Sequence, residues 1–139
     1  MQQVNEKLWI APQLTGEDFA DAGSKGIVGI VNNRPDDEEP GQLTAGESAR
    51  IAAGLGLSYV HIPVVSGQIT EEQVRAFRNA LAGADGPVLA YCKSGTRSLS
   101  LWAIGEVLDG RMTIDELDEL GACFGKDLAG AKKWLAARS

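Results

Sequence analysis

Short apolar runs alternate along the chain with longer segments whose apolar residues have helical spacing. The runs at 27–31, 59–65 and 88–91 are rich in β-branched and aromatic residues and predict core strands, and residues 4–10 predict a hairpin or an edge strand. Strands that alternate with helices of about ten residues are typical of a parallel sheet. The pattern therefore predicts an α/β fold with a mainly parallel, twisted sheet of four to five strands flanked by helices.

Helix starts are marked by threonines. Thr15 predicts a helix to about residue 22, and Thr44 and Thr70 each precede Glu or Gln by three residues, which is the capping-box pattern. Thr113 followed by Glu116 predicts another helix, and a last helix is expected over about 127–137. In parallel sheets, ligands bind at the carboxyl ends of the strands. Residues 32–34, 63–67 and 92–97 are therefore expected to share one rim.

One segment on this rim, V-L-A-Y-C-K-S-G-T-R-S at 88–98, has a chemical pattern. Cys92 ends a predicted strand, and an almost wholly apolar helix follows Arg97. Gly95 allows a turn in which backbone N–H groups form an anion-binding nest, and the helix start adds partial positive charge. We therefore interpret Cys92 as a thiolate nucleophile and Arg97 as its catalytic partner, although most cysteines in core strands only pack.

The remaining loop positions are candidates for anion binding: Lys93, Ser94, Gly95, Thr96 and Ser98, with Arg34 from the neighbouring loop as a second anion contact. Ser98 could donate a hydrogen bond to the Cys92 sulfur, and Lys93 could tune the electrostatic potential at the mouth of the site. Both are equally compatible with ordinary helix-start and surface positions. Arg34 could instead pair with the acids that follow it.

Composition limits the function classes. The 139 residues are 44% apolar, which predicts one domain over 1–139. The net charge of −6 argues against nucleic acid or an anionic membrane as a partner. No apolar run approaches the roughly 18 residues that span a bilayer, and the first residues do not resemble a signal peptide. Two cysteines without a CxxC pattern suggest a reducing compartment, by default the cytoplasm. One histidine and no cysteine cluster indicate neither a metal nor a cofactor.

Four motifs carry a resemblance: V-N-N-R-P-D-D-E-E-P-G-Q, H-I-P-V, G-Q-I-T-E-E-Q-V and L-A-Y-C-K-S-G-T-R-S. In this order they resemble the bacterial family of phosphatase-like domains of beta-lactamase hydrolase-like proteins, over roughly residues 3–110. The resemblance implies a fold like that of dual-specificity and tyrosine phosphatases. It implies an activity described either as phosphatase, by fold, or as rhodanese-type sulfurtransferase, by chemistry. Members occur alone or fused to a persulfide dioxygenase domain.

Two departures from tyrosine phosphatases bear on that choice. Four residues separate Cys92 from Arg97, whereas those enzymes have five, and Ser98 stands where the longer spacing needs arginine. Residues 64–68, V-V-S-G-Q, contain no aspartate to protonate a leaving oxygen, a role that contributes roughly 10²–10⁴ in rate. Sulfur transfer needs no such acid. Asp36 or Asp37 could substitute, but a run of acids usually forms a solvated surface.

These departures favour a sulfurtransferase of sulfide metabolism. In this hypothesis Cys92 takes sulfane sulfur from thiosulfate or a low-molecular-weight persulfide and passes it, as a persulfide, to a thiol or cyanide. The expected partners are that small-molecule donor and acceptor and a persulfide dioxygenase. The alternative is a cysteine-dependent phosphatase with a phosphocysteine intermediate. A third hypothesis is a non-catalytic module that senses anions or redox state.

Two further residues attract attention. His61, the only histidine, is predicted to be a hydrogen-bonded structural residue rather than a base. Cys123, in G-A-C-F-G, is predicted to be a buried packing cysteine, with a resolving role as the alternative.

Overall fold

A computed structural model describes residues 1–138, which form a five-stranded sheet with helices on both faces. The strands are β1 (Gln2–Gln3), β2 (Leu8–Ala11), β3 (Gly29–Asn32), β4 (Ser58–His61) and β5 (Val88–Tyr91). Their order is β1-β2-β5-β3-β4, with β2, β5, β3 and β4 parallel and β1 antiparallel to β2. The predicted α/β fold and mainly parallel sheet are confirmed.

Six helices lie in the described residues: α1 (Gly16–Ser24), α2 (Ala45–Gly54), α3 (Glu71–Ala82), α4 (Thr96–Leu108), α5 (Glu116–Phe124) and α6 (Ala129–Ala136). Thr15, Thr44 and Thr70 each form a complete capping box, as the local pattern indicates. The prediction for Thr113 is wrong in detail. Its N–H and hydroxyl both donate to the Glu116 carboxylate, but the helix begins only at Glu116, after a turn, with Asp115 at the cap position.

Strand ends differ from the predicted ones because the chain leaves the sheet at its carboxyl rim. β4 ends at His61, whereas the apolar run continues to residue 65. Beyond that point Ile62 N–H donates to Asn32 O at 2.9 Å and Val64 N–H donates to Asn33 O at 3.1 Å, while Pro63 between them has no N–H. Residues 62–64 are therefore held across the end of β3, beside the β5–α4 crossing.

The sheet separates two apolar clusters. One, around Phe77, Leu99 and Ile104, lies under α3, α4, α5 and α6, and the other, around Phe19 and Leu89, lies under α1 and α2. All four residues of β5 are buried, as expected of a parallel strand covered on both faces. The residues that follow β5 are therefore fixed on a rigid support.

Candidate active site

Cys92 follows β5 directly and is fully buried. The chain then turns through residues 93–95 into α4, and Gly95 N–H donates to Cys92 Sγ at an N···S distance of 3.0 Å. Gly95 occupies the cap position of α4 with φ 95°, the left-handed conformation that side chains other than glycine rarely adopt. The turn thus points a helix N-terminus at the sulfur, which favours negative charge there.

Replacing Gly95 by alanine is expected to damage both stability and activity. A left-handed conformation costs an L-residue about 1–2 kcal/mol. The added methyl group would make only ordinary van der Waals contacts, at 3.4 Å with Lys126 Cε and 3.5 Å with Ala11 O, so the damage should come from relief of the strained turn, which would move Gly95 N–H away from Cys92 Sγ. Urea unfolding and turnover measure the two effects. Gly110→Ala is the matched control, because Gly110 also has a positive φ of 76° but open space around it. It should lose similar stability and keep activity; equal loss of activity in both variants would contradict the role of this turn.

Arg97, in the first turn of α4, is held from two sides. Nη1 donates to Glu38 Oε2 and to Val64 O, both at 2.7 Å, and Nη2 donates to Glu38 Oε1 at 2.9 Å. A guanidinium has five donors in a planar fork. Within residues 1–138, no residue accepts from Nε or from the second Nη2 proton. One edge of the guanidinium is therefore available for bidentate binding of an anion.

Glu38 is shared between two arginines, since its Oε1 also accepts from Arg34 Nε at 2.8 Å. Hydrogen bonds from Arg97 hold the pKa of Glu38 below its usual value; burial opposes this and Arg34 reinforces it. Burial is the largest single influence on the pKa of Arg97 and would lower it, but the hydrogen bonds to Glu38 and the negative charges of Cys92 and Glu38 together outweigh burial and raise the pKa. Glu38 is thus a fixed carboxylate. Contrary to expectation, the run of acids at 36–39 is not wholly a solvated surface, because Glu38 and Glu39 both pair with Arg34.

Glu38→Gln is expected to make stability less dependent on acid pH. The pKa of Glu38 is lower in the folded state, so its charge stabilises the fold fully above about pH 4.3, the ordinary value for glutamate, and this contribution is lost as pH falls through the folded value. Urea unfolding at neutral pH should show a loss of about 1 kcal/mol relative to wild type. The difference should shrink at low pH.

The control is Glu17→Gln, at an exposed position in α1, which should leave the wild-type pH dependence in place. A Glu38→Gln difference that stays constant from neutral to acid pH would contradict the ion-pair account.

Arg34 pairs with its neighbouring acids, so the expectation of a second anion contact is not met. Its side chain is 1% exposed, Nη1 donates to Gln13 Oε1 at 2.8 Å, and Nη2 lies 2.9 Å from Glu39 Oε1 as an ion pair without hydrogen-bond alignment. His61 Nε2 lies 2.8 Å from Arg34 O, so His61 is a hydrogen-bonded residue that supports this loop, as predicted. Arg34 instead holds Glu38 in place for Arg97.

The remaining loop candidates are distributed around the turn. Lys93 is exposed, with Nζ 3.7 Å from Glu39. Ser94 Oγ lies 3.2 Å from Thr96 Oγ1. Ser98 is buried and its hydroxyl donates to Asn33 Oδ1 at 2.9 Å, so its one proton is not directed at Cys92 Sγ and that suggestion is wrong.

Sequence reasoning did not assign a role to Asn33, Glu38, Lys126 or Asp127. Asn33 is fully buried; its amide donates to Ile62 O at 3.0 Å and accepts from Ser98, so it ties β3, the 62–64 segment and α4 together. Lys126 Nζ donates to Ser94 O at 2.8 Å. Two consecutive asparagines at a strand end were a usable signal for Asn33. No local pattern points to Lys126, which lies 32 residues from its partner.

Within residues 1–138, neither acid proposed as a proton donor is hydrogen-bonded to Cys92 or Arg97. Asp36 Oδ1 accepts from Ala45 N–H at 2.8 Å, which ties it to the start of α2. Asp37 is exposed and adopts a positive φ of 62°. The 64–68 segment does border the site, because Val64 O binds Arg97, and it contributes no carboxylate.

A pocket of about 420 Å³ opens beside Arg97, between the 66–69 segment, the start of α4 and α6. Trp134 Nε1–H donates to Ile69 O at 2.7 Å and holds α6 against this segment. The walls are mostly apolar, and Asp127 is the carboxylate among the lining residues within 1–138. The pocket offers space for the organic part of an anionic substrate.

Cys123 corrects a prediction. It lies in α5 and is exposed rather than buried. The buried positions of α5 are Leu117 and Gly121, and residue 123 points away from that face.

Together, the parallel sheet, the cysteine at the base of the β5–α4 turn and the arginine in the first turn of α4 define a phosphatase-like domain of the tyrosine and dual-specificity phosphatase fold. The chain belongs to the family described as "Beta-lactamase hydrolase-like protein, phosphatase-like domain", whose family model matches residues 1–109. Both the resemblance noted from the sequence motifs and the phosphatase-like fold are confirmed.

Curated relatives share most of the chain. A beta-lactamase hydrolase-like protein of Agrobacterium fabrum is 42% identical over 137 residues, which is 99% of this chain and 32% of that protein. One from Xylella fastidiosa is 43% identical over 132 residues, or 95% of this chain and 31% of the relative. The chain thus spans about a third of the length of these relatives.

Solved structures agree in fold. A putative phosphatase from Neisseria meningitidis is 33% identical, with a TM-score of 0.86 over 96% of this chain and 94% of that one. TpbA of P. aeruginosa, solved in complex with pTyr, is 17% identical, with a TM-score of 0.72 over 94% of this chain and 79% of that one; this similarity shows the fold alone. None of the helices within residues 1–138 has the length and apolar character needed to cross a bilayer.

Proposed function

We propose that this domain is a cysteine-dependent phosphatase that hydrolyses a phosphomonoester through a phosphocysteine at Cys92. The observation that carries the proposal is the arrangement of Gly95 N–H on Cys92 Sγ with the open guanidinium edge of Arg97. The family and the phosphatase fold support this alternative better than the sulfurtransferase that the sequence favoured.

In the proposed reaction, Cys92 Sγ attacks phosphorus as the thiolate. The helix N-terminus and Gly95 N–H favour the negative sulfur before attack. The free edge of Arg97 binds two phosphoryl oxygens and stabilises the charge that they carry in the transition state. Glu38 and Val64 O hold the Arg97 guanidinium in place, so it does not have to move during the reaction.

Sulfur transfer is the second candidate, and one observation favours it. The loop has four residues between Cys92 and Arg97, and the adjacent 64–68 segment carries no acid. In this case a small-molecule sulfur donor would load Cys92 as a persulfide, a thiol would accept the sulfur, and a persulfide dioxygenase would be the expected functional partner.

Rapid acid quench tests the phosphatase proposal. Protein mixed with para-nitrophenyl phosphate should yield a species heavier by one phosphoryl group, located on the peptide that contains Cys92. Peptides that contain Cys123 should carry no phosphoryl group, because that cysteine lies on α5. A phosphoryl group on another residue, or turnover without any adduct at Cys92 under saturating substrate, would overturn the proposed intermediate.

A further inference from the structure

The α5–α6 connection is packed onto the anion-binding turn. Lys126 Nζ donates to Ser94 O at 2.8 Å, and Lys126 Cε lies within 3.4 Å of the position that a Cβ on Gly95 would occupy. The next residue, Asp127, lines the 420 Å³ pocket together with Thr96 and Arg97. A segment remote in sequence thus brings a carboxylate to the mouth of the site.

The Asp127 carboxylate uses one of its two oxygens in a hydrogen bond. Oδ1 accepts from Ala129 N–H at 2.9 Å, which fixes the carboxylate at the start of α6. Within residues 1–138, no residue donates to Oδ2. One oxygen of a positioned carboxyl group is therefore available to exchange a proton with a molecule in the pocket.

The other acids near the turn are unsuited to this task. Glu38 accepts from Arg97 and Arg34 with both oxygens, and these hydrogen bonds lower its pKa, so it stays ionised. Glu39 pairs with Arg34 and Lys93. Asp36 accepts a hydrogen bond from Ala45 N–H at the start of α2. Asp127 is the acid in the described residues that shares a pocket with Arg97.

We propose that Asp127 is the general acid and base of the reaction, and that the pocket between α6 and residues 66–69 holds the leaving group. This inference rests on the proposed phosphatase function. It assigns the proton donor to the α5–α6 connection, since residues 64–68 contain none. The apolar walls, including Ile69 and Trp134, favour a leaving group with an apolar or aromatic body.

The proposed reaction has two steps. Cys92 Sγ forms a bond to phosphorus, the bond from phosphorus to the leaving oxygen breaks with its electron pair on oxygen, and the Asp127 carboxyl proton passes to that oxygen. The alcohol leaves the pocket and water takes its place. Asp127, now a carboxylate, removes a proton from the water, whose oxygen attacks phosphorus as the bond to sulfur breaks and returns its electron pair to Cys92.

Leaving-group dependence tests the assignment. Asp127→Asn keeps an oxygen acceptor for Ala129 N–H, but its amide has no acidic proton to transfer to the leaving oxygen. It should lower kcat/KM for phenyl phosphate by about 10²–10³-fold and for para-nitrophenyl phosphate by less than about 10-fold, because the nitrophenolate leaves without protonation. The two esters have similar shapes, so altered packing would affect both alike. Asp118→Asn, which removes a carboxylate of α5 that pairs with Lys132, is the control and should affect neither ester.

The outcomes separate this inference from the function on which it rests. Equal losses for both esters in Asp127→Asn, or no loss for phenyl phosphate, would overturn the assignment of Asp127 while the phosphatase proposal stands. Wild-type protein that hydrolyses neither ester faster than the Cys92→Ser variant would overturn both. A much larger loss for phenyl phosphate than for para-nitrophenyl phosphate is the result expected.

Discussion

Cys92→Ser should reduce phosphomonoester turnover by about 10⁴–10⁶-fold, the size of effect seen when a catalytic nucleophile is removed. The serine hydroxyl fits the buried position, but at neutral pH it supplies no anionic nucleophile in place of the thiolate. Steady-state hydrolysis of para-nitrophenyl phosphate measures the loss, and thermal unfolding verifies that the variant is folded.

Cys123→Ser is the matched control. Cys123 is exposed on α5, so its replacement should leave both turnover and stability unchanged. If Cys92→Ser retained more than about one tenth of wild-type turnover, the nucleophile would have to be another group. Similar losses in both cysteine variants would indicate a general thiol effect instead.

Arg97→Lys should lower kcat/KM by about 10²–10³-fold although the positive charge is kept. An ammonium group has no planar fork, so it cannot bind both Glu38 oxygens and present a second edge to the substrate. The loss should fall mainly on kcat, because the arginine is placed to stabilise charge that develops in the transition state. Initial-rate kinetics over a range of phenyl phosphate concentrations separate kcat from KM.

The same substitution at an exposed arginine outside the site is the control. Arg75 pairs with Glu71 one helical turn away on α3, and Arg75→Lys should leave kinetics unchanged. Arg97→Lys kinetics within about twofold of wild type would show that a point charge suffices and that the fork geometry has no catalytic role.

The sequence predicted those parts of the fold that depend on neighbours in the chain. The capping boxes at Thr44 and Thr70 are closed by residues three positions away, and the turn from Cys92 to Arg97 is a local conformation that needs Gly95. Cys123 was misplaced because its small neighbours suggested a packed environment, whereas the buried face of α5 runs through Leu117 and Gly121.

Long-range contacts of the site were not predictable in the same way. Glu38 meets Arg97 across 59 positions of sequence, and Asp127 reaches the pocket from the connection after α5. The sulfurtransferase hypothesis depended on the four-residue spacing from Cys92 to Arg97 and on the absence of an acid in residues 64–68. Both features hold, but tertiary packing brings a carboxylate from another segment to the pocket beside Arg97, so the missing local acid does not by itself argue against phosphoryl transfer.

The central claim is that Cys92 serves phosphoryl transfer rather than sulfur transfer. A paired assay tests it most directly: wild type and Cys92→Ser are compared in phosphate release from phenyl phosphate and in sulfur transfer from thiosulfate to cyanide and from glutathione persulfide to a thiol. The account predicts Cys92-dependent phosphate release at least about tenfold faster than either sulfur reaction. Cys92-dependent sulfur transfer that exceeds phosphate release would contradict it and restore the sulfurtransferase hypothesis.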